Sequence, residues 1–324
     1  MDCDKCGASA VMHAAYSGLH LCERHFLRSV EKRVKRRIRE DALIDNRTTP
    51  DDPETWVIGL SGGKDSVVLT DLLYDTFAED PRIELVALTI HEGIEGYRDA
   101  SVDACVELTD GMELRHEVVS YASEFDLEMD SVAESDPENM APCAYCGVFR
   151  RDILSRYAEQ YGADKLLTGH NLDDEAQTAL MNVLEGDVKQ IAKHFDASLG
   201  PFPDRPSGSN NEPFVPRAKP LRDIPEKEVA LYAHLKDLPV HMAECPHASE
   251  AYRGEIQELL LGLESKHPGT RHSIMAGYEE IAHVVAEQYD TDEQPDLQDC
   301  ERCGSPTTGD ICRKCQLVES IHTA

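Results

Sequence analysis

The sequence has 324 residues, of which 41% are hydrophobic, enough for one large domain or for a catalytic core with small appendages. Its 32 basic and 62 acidic residues give a formal net charge of −30, which by itself argues against a polyanionic partner because phosphate binding needs Lys and Arg. No stretch approaches the roughly eighteen consecutive apolar residues of a transmembrane helix, and the N-terminus lacks the charged-then-apolar order of a secretion signal. We therefore expect a cytoplasmic protein with no membrane partner.

The acid surplus is spread over the whole chain rather than gathered in a tail, which indicates adaptation to concentrated intracellular salt. At molar salt the Debye length is about 3 Å, so repulsion between surface carboxylates is screened. We therefore expect a halophilic protein that reversibly loses its fold or activity in dilute buffer, and full activity at low salt would disprove this.

The eleven cysteines have the spacing of metal sites rather than of a secreted disulfide framework. Cys105 stands alone in a predicted helix, and we expect it to be a small buried apolar residue. The other ten fall into three groups: Cys3, Cys6 and Cys22 with His25 at the N-terminus, Cys143, Cys146 and Cys245 in the middle, and Cys300, Cys303, Cys312 and Cys315 at the C-terminus.

Each terminal group offers four ligands, the number that closes a structural Zn²⁺ site. Zinc would supply folding energy to segments too small to form their own core, and the same modules could either grip RNA or serve only as a scaffold. The predicted organisation is therefore an N-terminal zinc finger over 1–28, a basic linker helix over 29–49, a catalytic domain over 50–288, and a C-terminal zinc ribbon over 289–324.

The basic stretch reverses the charge of the protein locally. Apolar residues recur every four positions from Phe26 to Ile38, a spacing that predicts an amphipathic helix. Its cations could form a solvated face, but the local reversal of sign favours a contact with a phosphate backbone. The basic residues are Arg24, Arg28, Lys32, Arg33, Lys35, Arg36, Arg37 and Arg39.

From about residue 50, apolar runs typical of buried strands alternate with helical patterns, and this alternation predicts an α/β fold with a doubly wound parallel sheet. In such a sheet ligands bind at the carboxyl ends of the strands. The Pro- and Gly-rich stretch 200–216 is predicted to be a surface loop. The predicted strands are 56–60, 83–90, 114–119 and 165–168, and the predicted helices run to Phe77 and over 101–108, 147–161, 175–184, 225–237 and 249–265.

A nucleotide loop, residues 61–66 with the sequence SGGKDS, lies between the first strand and its helix. Its two glycines permit a tight turn that aims N–H groups at a phosphate, and the helix N-terminus adds positive charge. The four-residue gap of a Walker A loop is absent. In this loop Gly62 and Gly63 form the turn, Ser61 and Ser66 offer hydroxyl groups, Lys64 neutralises phosphate, and Asp65 helps to hold Mg²⁺.

The central cysteines, Cys143, Cys146 and Cys245, are called the cysteine trio below. Three thiolates do not complete a tetrahedral zinc site, but they could hold an iron–sulfur cluster in which one iron has no protein ligand and is free to bind sulfur. A buried cysteine pair, a third zinc completed by His247, and a persulfide on Cys143 or Cys245 are alternatives that the residues leave open.

Further motifs follow the nucleotide loop in a fixed order, and together they make the sequence resemble the tRNA 2-thiouridine synthetases of the archaeal and eukaryotic cytoplasmic type. These are ATP pyrophosphatases of the PP-loop superfamily, and the resemblance extends from Cys3 to Cys315. The motifs are 92–99 (EGIEGYRD), 142–151 (PCAYCGVFRR), 168–178 (TGHNLDDEAQT), 215–221 (VPRAKPL) and 244–253 (ECPHASEAYR).

The resemblance implies an oxygen-sensitive 4Fe–4S cluster on the cysteine trio and Zn²⁺ on each terminal group. It implies ATP in the nucleotide loop, with His91 and Gly169 also at the cofactor. The implied partners are tRNA, a ubiquitin-like sulfur carrier with a C-terminal thiocarboxylate, and a second copy of the chain in a homodimer.

The implied reaction is 2-thiolation of a tRNA uridine. Adenylation turns the C2 oxygen into a leaving group, and sulfur then displaces AMP, while Lys64, Arg150 and the loop amides stabilise charge on the α-phosphate. Asp173 and Asp174 could bind Mg²⁺, act in acid–base chemistry or merely cap a helix, and the resemblance favours Asp174. We expect His170 to be a packed histidine. The expected catalytic residues are Lys64, Asp65, Arg150, Asp174, Cys143 and Cys245.

Two departures from the family pattern bear on specificity. Arg150 replaces the catalytic Lys of the bacterial thioribothymidine branch, which favours the wobble uridine over a T-loop uridine or a cytidine. His91 stands where many relatives have Asp, which puts an acidic role there in doubt. An amidotransferase-like or lysidine-forming ATP pyrophosphatase would not need the cysteine trio, and a zinc-ribbon RNA-binding adaptor would turn over no ATP.

Overall fold

The structure, a computed structural model, describes residues 1–196, 215–247, 252–288 and 297–323. Within these ranges no helix has both the length and the apolar character needed to span a bilayer. The strands are β1 (Met12–Ala14), β2 (Leu19–Leu21), β3 (Glu54–Gly59), β4 (Ile83–His91), β5 (Arg115–Ser120), β6 (Lys165–Leu167), β7 (Arg217–Ala218), β8 (Gln298–Asp299) and β9 (Pro306–Thr307).

The helices alternate with the central strands, as the sequence predicts. Nearly all of the predicted loop 200–216 lies outside the described residues. The helices are α1 (Glu23–Glu40), α2 (Lys64–Phe77), α3 (Arg98–Met112), α4 (Tyr121–Phe125), α5 (Met129–Ser135), α6 (Pro142–Gln160), α7 (Leu172–Leu184), α8 (Val188–Asp196), α9 (Glu226–Leu235), α10 (Tyr252–Lys266), α11 (Thr270–Gln288) and α12 (Arg313–Thr323).

The central sheet confirms the predicted doubly wound parallel architecture. Its strands lie in the order β5-β4-β3-β6-β7, and every neighbouring pair is parallel. Trp56, Val57 and Ile58 of β3 are fully buried, because helices cover both faces of the strand. The strand order reverses between β3 and β6, so the ligand crevice of the fold is expected where the loops after these two strands meet.

Apolar cores fill both faces of the sheet, and each terminal module contributes to one of them. The core that includes Trp56 also contains Phe26 of α1, which follows the N-terminal Cys/His group. The core that includes Val57 also contains Leu317 of α12, which follows the C-terminal cysteines. The terminal modules are therefore packed onto the central domain.

Some helix boundaries differ from those predicted. The prediction that Cys143 and Cys146 precede a helix is wrong: α6 begins at Pro142, a residue well suited to a first helical position, and both cysteines lie in its first two turns. Helix α7 begins three residues earlier than expected because Asn171 caps it. Helix α11 was not predicted. Cys105 is fully buried, as expected.

Candidate functional site

The nucleotide loop connects β3 to α2 at the reversal of strand order. Gly62 has a φ of +82°, and a Cβ there would lie 2.2 Å from the carbonyl oxygen of Ser101, so only glycine fits. Ser66 Oγ donates to the Gly63 carbonyl and accepts from the Ser61 N–H, both at 3.0 Å. The loop is thus closed by its own side chains, and the first N–H groups of α2 are presented toward the crevice.

The segment after β6 packs directly against this loop. A Cβ on Gly169 would lie 2.8 Å from the carbonyl carbon of Asp65, so the backbones can approach only through a glycine. Asn171 Nδ2 donates to Asp65 Oδ1 at 2.9 Å, and Asn171 Oδ1 accepts from the N–H groups of Asp173 and Asp174. One amide side chain therefore caps α7 and holds the nucleotide loop.

Charged groups surround the loop. Lys64 Nζ lies 3.0 Å from Asp65 Oδ2 and 2.8 Å from Glu226 Oε1. Burial opposes the charge, but these two carboxylates raise the pKa of Lys64 and keep it cationic. Burial, together with the nearby charge of Asp65, raises the pKa of Asp174 to about 6. A carboxylate that titrates near pH 6 is suited to accept a proton at neutral pH.

The two adjacent acids of α7 have different environments. Asp173 is buried, its Oδ2 accepts from the Glu226 N–H at 2.9 Å, and its Oδ1 lies 3.0 Å from Arg271 Nε. Asp174 is partly accessible, and one of its oxygens accepts from the Asn171 N–H at 3.1 Å. Asp173 is therefore committed to packing α7 against α9 and α11, whereas Asp174 takes part in the cap and keeps its other oxygen for chemistry.

The two candidate histidines lie in different surroundings. His91 Nδ1 accepts from the Gly93 N–H at 3.2 Å, so its Nε2 carries the proton that reaches Asp99 at 2.9 Å. The prediction of a packed His170 is wrong, because the residue is exposed at the crevice. The protein atoms around the ring and the charge of Lys219 lower the pKa of His170, so it is neutral at pH 7.

The cysteine trio converges although its members are far apart in sequence. Cys143 Sγ lies 3.5 Å from the carbonyl oxygen of His247, two residues beyond Cys245. Cys146 Sγ accepts from Arg150 Nη2 at 3.3 Å and lies 3.5 Å from the hydroxyl of Tyr121. Burial raises the pKa of Cys245, and the neighbouring thiolates of Cys143 and Cys146 raise it further.

The same segment links the trio to the nucleotide loop. His241 N–H donates to the Gly62 carbonyl at 2.8 Å, and four further residues, which span at most about 14 Å, lead to Cys245. The Tyr97 ring lies 5.3 Å from the His241 ring, and its pKa is raised by burial and by the charge of Cys245. Tyr97 and Lys64 line one cavity of about 790 Å³. His241 and Glu244 line the same cavity, so the segment that leads from the nucleotide loop to Cys245 borders it.

The terminal groups have the geometry of mononuclear metal sites. In each group the four ligand atoms lie within 4.8 Å of one another, and Cys6 Sγ and Cys22 Sγ are 3.7 Å apart, as Zn–S bonds of about 2.3 Å require. Among the described residues the trio with His247 does not form such a group, which disfavours a third zinc. Wider spacing suits thiolates that bind separate irons of a 4Fe–4S cluster. The four-ligand groups are Cys3, Cys6, Cys22 and His25, and Cys300, Cys303, Cys312 and Cys315.

The basic residues of α1 divide into two sets. Arg33 pairs with Glu228, and Arg37 Nη2 lies 2.7 Å from Asp223 Oδ2, so these two arginines fasten α1 to the central domain. Most of the others, joined by Lys5, line a groove of about 690 Å³, which Arg24 does not reach. The groove cations are Lys5, Arg28, Lys32, Lys35, Arg36 and Arg39, together with the inner Arg33.

Comparisons with known proteins agree with this geometry. The family model of the PP-loop domain matches residues 29–239, and the model of the N-terminal LIM domain of the 2-thiouridine synthetase TtuA matches residues 2–27. The chain is 71% identical over 322 residues to the tRNA 2-thiolation protein NcsA of Haloferax volcanii, covering 99% of each chain. The chain belongs to the PP-loop family of tRNA 2-thiolation enzymes.

Other members of the tRNA 2-thiolation family are similar over nearly their whole length. A probable sulfurtransferase of Methanocaldococcus jannaschii is 32% identical, with 97% of this chain and 86% of the relative covered. The solved structure of the U34-tRNA thiolase NcsA from Methanococcus maripaludis with its 4Fe–4S cluster is 33% identical. It superposes with a TM-score of 0.80 and covers 98% of this chain and 96% of its own. The predicted family and fold are therefore confirmed.

Some residues that shape this tRNA 2-thiolation site escaped the sequence analysis. Asn171 could have been found, because an Asn just before a helix with an acid three residues later is a capping pattern. Glu226, the second partner of Lys64, lies on another helix and carries no local signal. The buried pair Glu92 and Arg98, which lies behind the nucleotide loop, falls within the motif 92–99, but its pairing was not predicted.

Proposed function

We propose that this chain uses ATP to adenylate the C2 oxygen of the wobble uridine of a tRNA and then replaces that oxygen with sulfur, releasing AMP and pyrophosphate. The observation that carries the proposal is the hydrogen bond from the His241 N–H to the Gly62 carbonyl, which fixes the nucleotide loop only four residues along the chain from Cys245 of the trio. The similar U34-tRNA thiolase of Methanococcus maripaludis, whose structure contains a 4Fe–4S cluster, supports the same reaction.

The nucleotide loop is the proposed ATP site. Ser61, Gly62, Gly63 and Ser66 present N–H and hydroxyl groups to phosphate, and Lys64 offsets its charge. Asp65, with Oδ1 fixed by Asn171 and Oδ2 facing Lys64, offers carboxylate oxygens to Mg²⁺. Gly169 lets the loop after β6 approach the nucleotide loop closely. We also place His91 near the bound nucleotide.

Adenylation needs a base as well as positive charge. When the C2 oxygen attacks the α-phosphate, pyrophosphate leaves and the uridine N3–H loses its proton. We assign that proton to Asp174, whose pKa of about 6 leaves it ionised at neutral pH. Lys64 and Arg150 stabilise the charge that develops on the α-phosphate. Arg150 remains charged and cannot exchange a proton, so it serves electrostatics alone.

The trio is the proposed site of a 4Fe–4S cluster, held by Cys143, Cys146 and Cys245. When bound, the cluster supplies one iron without a protein ligand, on which sulfur can be carried. The exposed Cys143 leaves this end of the site open to a sulfur donor, for which we propose a ubiquitin-like carrier with a terminal thiocarboxylate. A persulfide on Cys143 or Cys245 is the competing sulfur source, and iron analysis of an active preparation distinguishes the two.

The remaining features support substrate binding and assembly. We propose one Zn²⁺ in each terminal group, a groove on α1 that binds the tRNA backbone, and a homodimer. The proposed domain limits remain 1–28, 29–49, 50–288 and 289–324. The acid surplus of the chain is proposed to be an adaptation to high salt, which thermal unfolding across a range of KCl concentrations tests.

The experiment that tests the function is a reconstitution under anaerobic conditions. The protein is first reconstituted with iron and sulfide and then incubated with ATP, sulfide and unmodified tRNA. The nucleosides of the tRNA are then analysed by mass spectrometry. We expect one AMP for each 2-thiouridine, formed at the wobble position. Thiolation without AMP formation, or 2-thiouridine in the T-loop, would contradict the proposal.

A further inference from the structure

A buried carboxylate connects the cysteine trio to the nucleotide loop. Arg150 Nη2 lies 3.3 Å from Cys146 Sγ and donates to Glu92 Oε1 at 2.9 Å. The second oxygen of Glu92 lies 2.5 Å from Nε of Arg98, and Arg98 Nη1 donates to the Ser61 carbonyl at 2.7 Å. Two guanidinium groups therefore share one carboxylate between a cluster ligand and the first residue of the loop.

The central pair of this connection is almost fully buried. Glu92 and Arg98 are each only 3% exposed, so water does not screen their charges. Arg98 Nε donates to the Ile90 carbonyl and Nη1 also donates to Ser101 Oγ, so Arg98 contacts Glu92 as an ion pair rather than as its hydrogen-bond donor. The Ser101 carbonyl in turn lies against Gly62, and the loop, Arg98 and the start of α3 form one packed unit.

We propose that Glu92 is a positioning residue that couples nucleotide binding to the cysteine site. When phosphate enters the loop and shifts the Ser61 carbonyl, Arg98 moves relative to Glu92. The contact of Glu92 with Arg150 then changes, and with it the distance of Arg150 from Cys146 and from the α-phosphate. The inference rests on the proposed function, because it takes ATP in the loop and the cluster on the trio.

If nucleotide binding affects the cysteine site, a cluster on that site must change the affinity for nucleotide by the same factor. The coupling can therefore be measured from binding alone, without turnover. The affinity for a non-hydrolysable ATP analogue is measured by calorimetry on anaerobic protein, once with the cluster and once after its removal. For the native chain we expect the two dissociation constants to differ by about fivefold or more. For Glu92→Gln we expect the ratio to fall to about one, because the neutral amide no longer links the two arginines.

Glu95→Gln is the matched control, since it removes the same charge three residues away from an exposed side chain. We expect it to keep the native ratio. If Glu92→Gln does not fold, Glu92→Asp is measured instead. It keeps the charge but is one methylene shorter, so it cannot hold both arginines, and we expect a reduced ratio.

Two results would overturn the inference: a native ratio of one, or an undiminished ratio in whichever Glu92 variant folds. Both leave the proposed function standing, because each requires that the native chain bind both ATP and the cluster. A native chain that binds neither would instead contradict the proposed function.

Discussion

Asn171 Nδ2 donates a 2.9 Å hydrogen bond to Asp65 Oδ1, joining residues that are 106 positions apart in sequence. The bond connects the loops that follow β3 and β6, the two strands between which the strand order reverses. Asn171 also caps α7, so the orientation of Asp65 and the start of α7 depend on one side chain. This contact fixes the geometry of the nucleotide site before any ligand binds.

Replacing Asn171 with Ala is expected to affect stability and ATP affinity together. Loss of the cap lowers the free energy of unfolding by about 1 kcal/mol. Loss of the hydrogen bond to the Asp65 carboxylate weakens ATP–Mg²⁺ binding by about tenfold, as measured by calorimetry. The matched control is Asn182→Ala, which breaks a 2.9 Å bond to the Tyr278 hydroxyl elsewhere on α7. Equal ATP affinities for the two variants would contradict the account.

Gly62→Ala is expected to abolish ATP binding. The added Cβ would collide with the Ser101 carbonyl. The positive φ lowers the free energy of unfolding of the alanine variant by a further ~1–2 kcal/mol. Gly96 has a similar φ of +70° but no atom within 4 Å of an added Cβ, so Gly96→Ala carries the conformational cost alone. Thermal unfolding and ATP titration of both variants separate the clash from the strain. ATP binding by Gly62→Ala with native affinity would be inconsistent with the proposed loop.

The nucleotide loop was predictable because its six residues are contiguous and lie between an apolar run and a helical pattern. The parallel, doubly wound sheet followed from the alternation of strands and helices, whereas the order of its strands was not predicted. Helix α11 was missed, although Met275, Tyr278 and Ala282 have helical spacing and are buried against α7. This spacing could have predicted the helix, and packing against α7 is what buries it.

The network behind the loop was not predictable, for a physical reason. Local patterns report propensity and burial, but a pairing such as that of Lys64 with Glu226 is decided by where α9 docks on the sheet. The division of the basic stretch into groove residues and residues that fasten α1 to the central domain was not predictable for the same reason. Arg33 and Arg37 look like their neighbours in sequence, and only the positions of Glu228 and Asp223 turn them inward.

The adenylation rate is expected to depend on the ionisation of Asp174. Below pH 6 the side chain is protonated and cannot accept the uridine proton, so the single-turnover rate should rise with an apparent pKa near 6. Asp174→Asn should be slow at every pH. Because burial places the pKa of Asp174 above its unfolded value, the ionised form costs stability as pH rises through this range, and Asp174→Asn should unfold no more easily than the native chain at pH 7.

Asp173→Asn provides the contrast for this prediction. It should keep the pH profile but unfold more easily, since it weakens the pairing with Arg271. A native pH profile in Asp174→Asn, or its loss in Asp173→Asn, would show that the proton acceptor is misassigned.

Substitutions on the outer side of α1 are expected to weaken tRNA binding without unfolding the protein. Arg28→Ala combined with Lys32→Ala removes two groove cations, so the slope of log affinity against log salt should fall by about two. Arg33→Ala should instead lower the free energy of unfolding, because Arg33 holds Glu228 and the Tyr16 hydroxyl. An unchanged salt slope in the double variant would place the tRNA on another surface.

The central claim is that activated oxygen and sulfur meet in one crevice, and Cys143→Ala tests it most directly. Cys105→Ala, which alters a buried cysteine outside the trio, is the control. Both variants are reconstituted anaerobically, and ATP affinity and 2-thiouridine formation are measured on each. The account predicts that Cys143→Ala binds ATP with the affinity of the native chain after removal of its cluster, forms no 2-thiouridine and lacks the full iron content, while Cys105→Ala is active. Thiolation by Cys143→Ala at the native rate would contradict it.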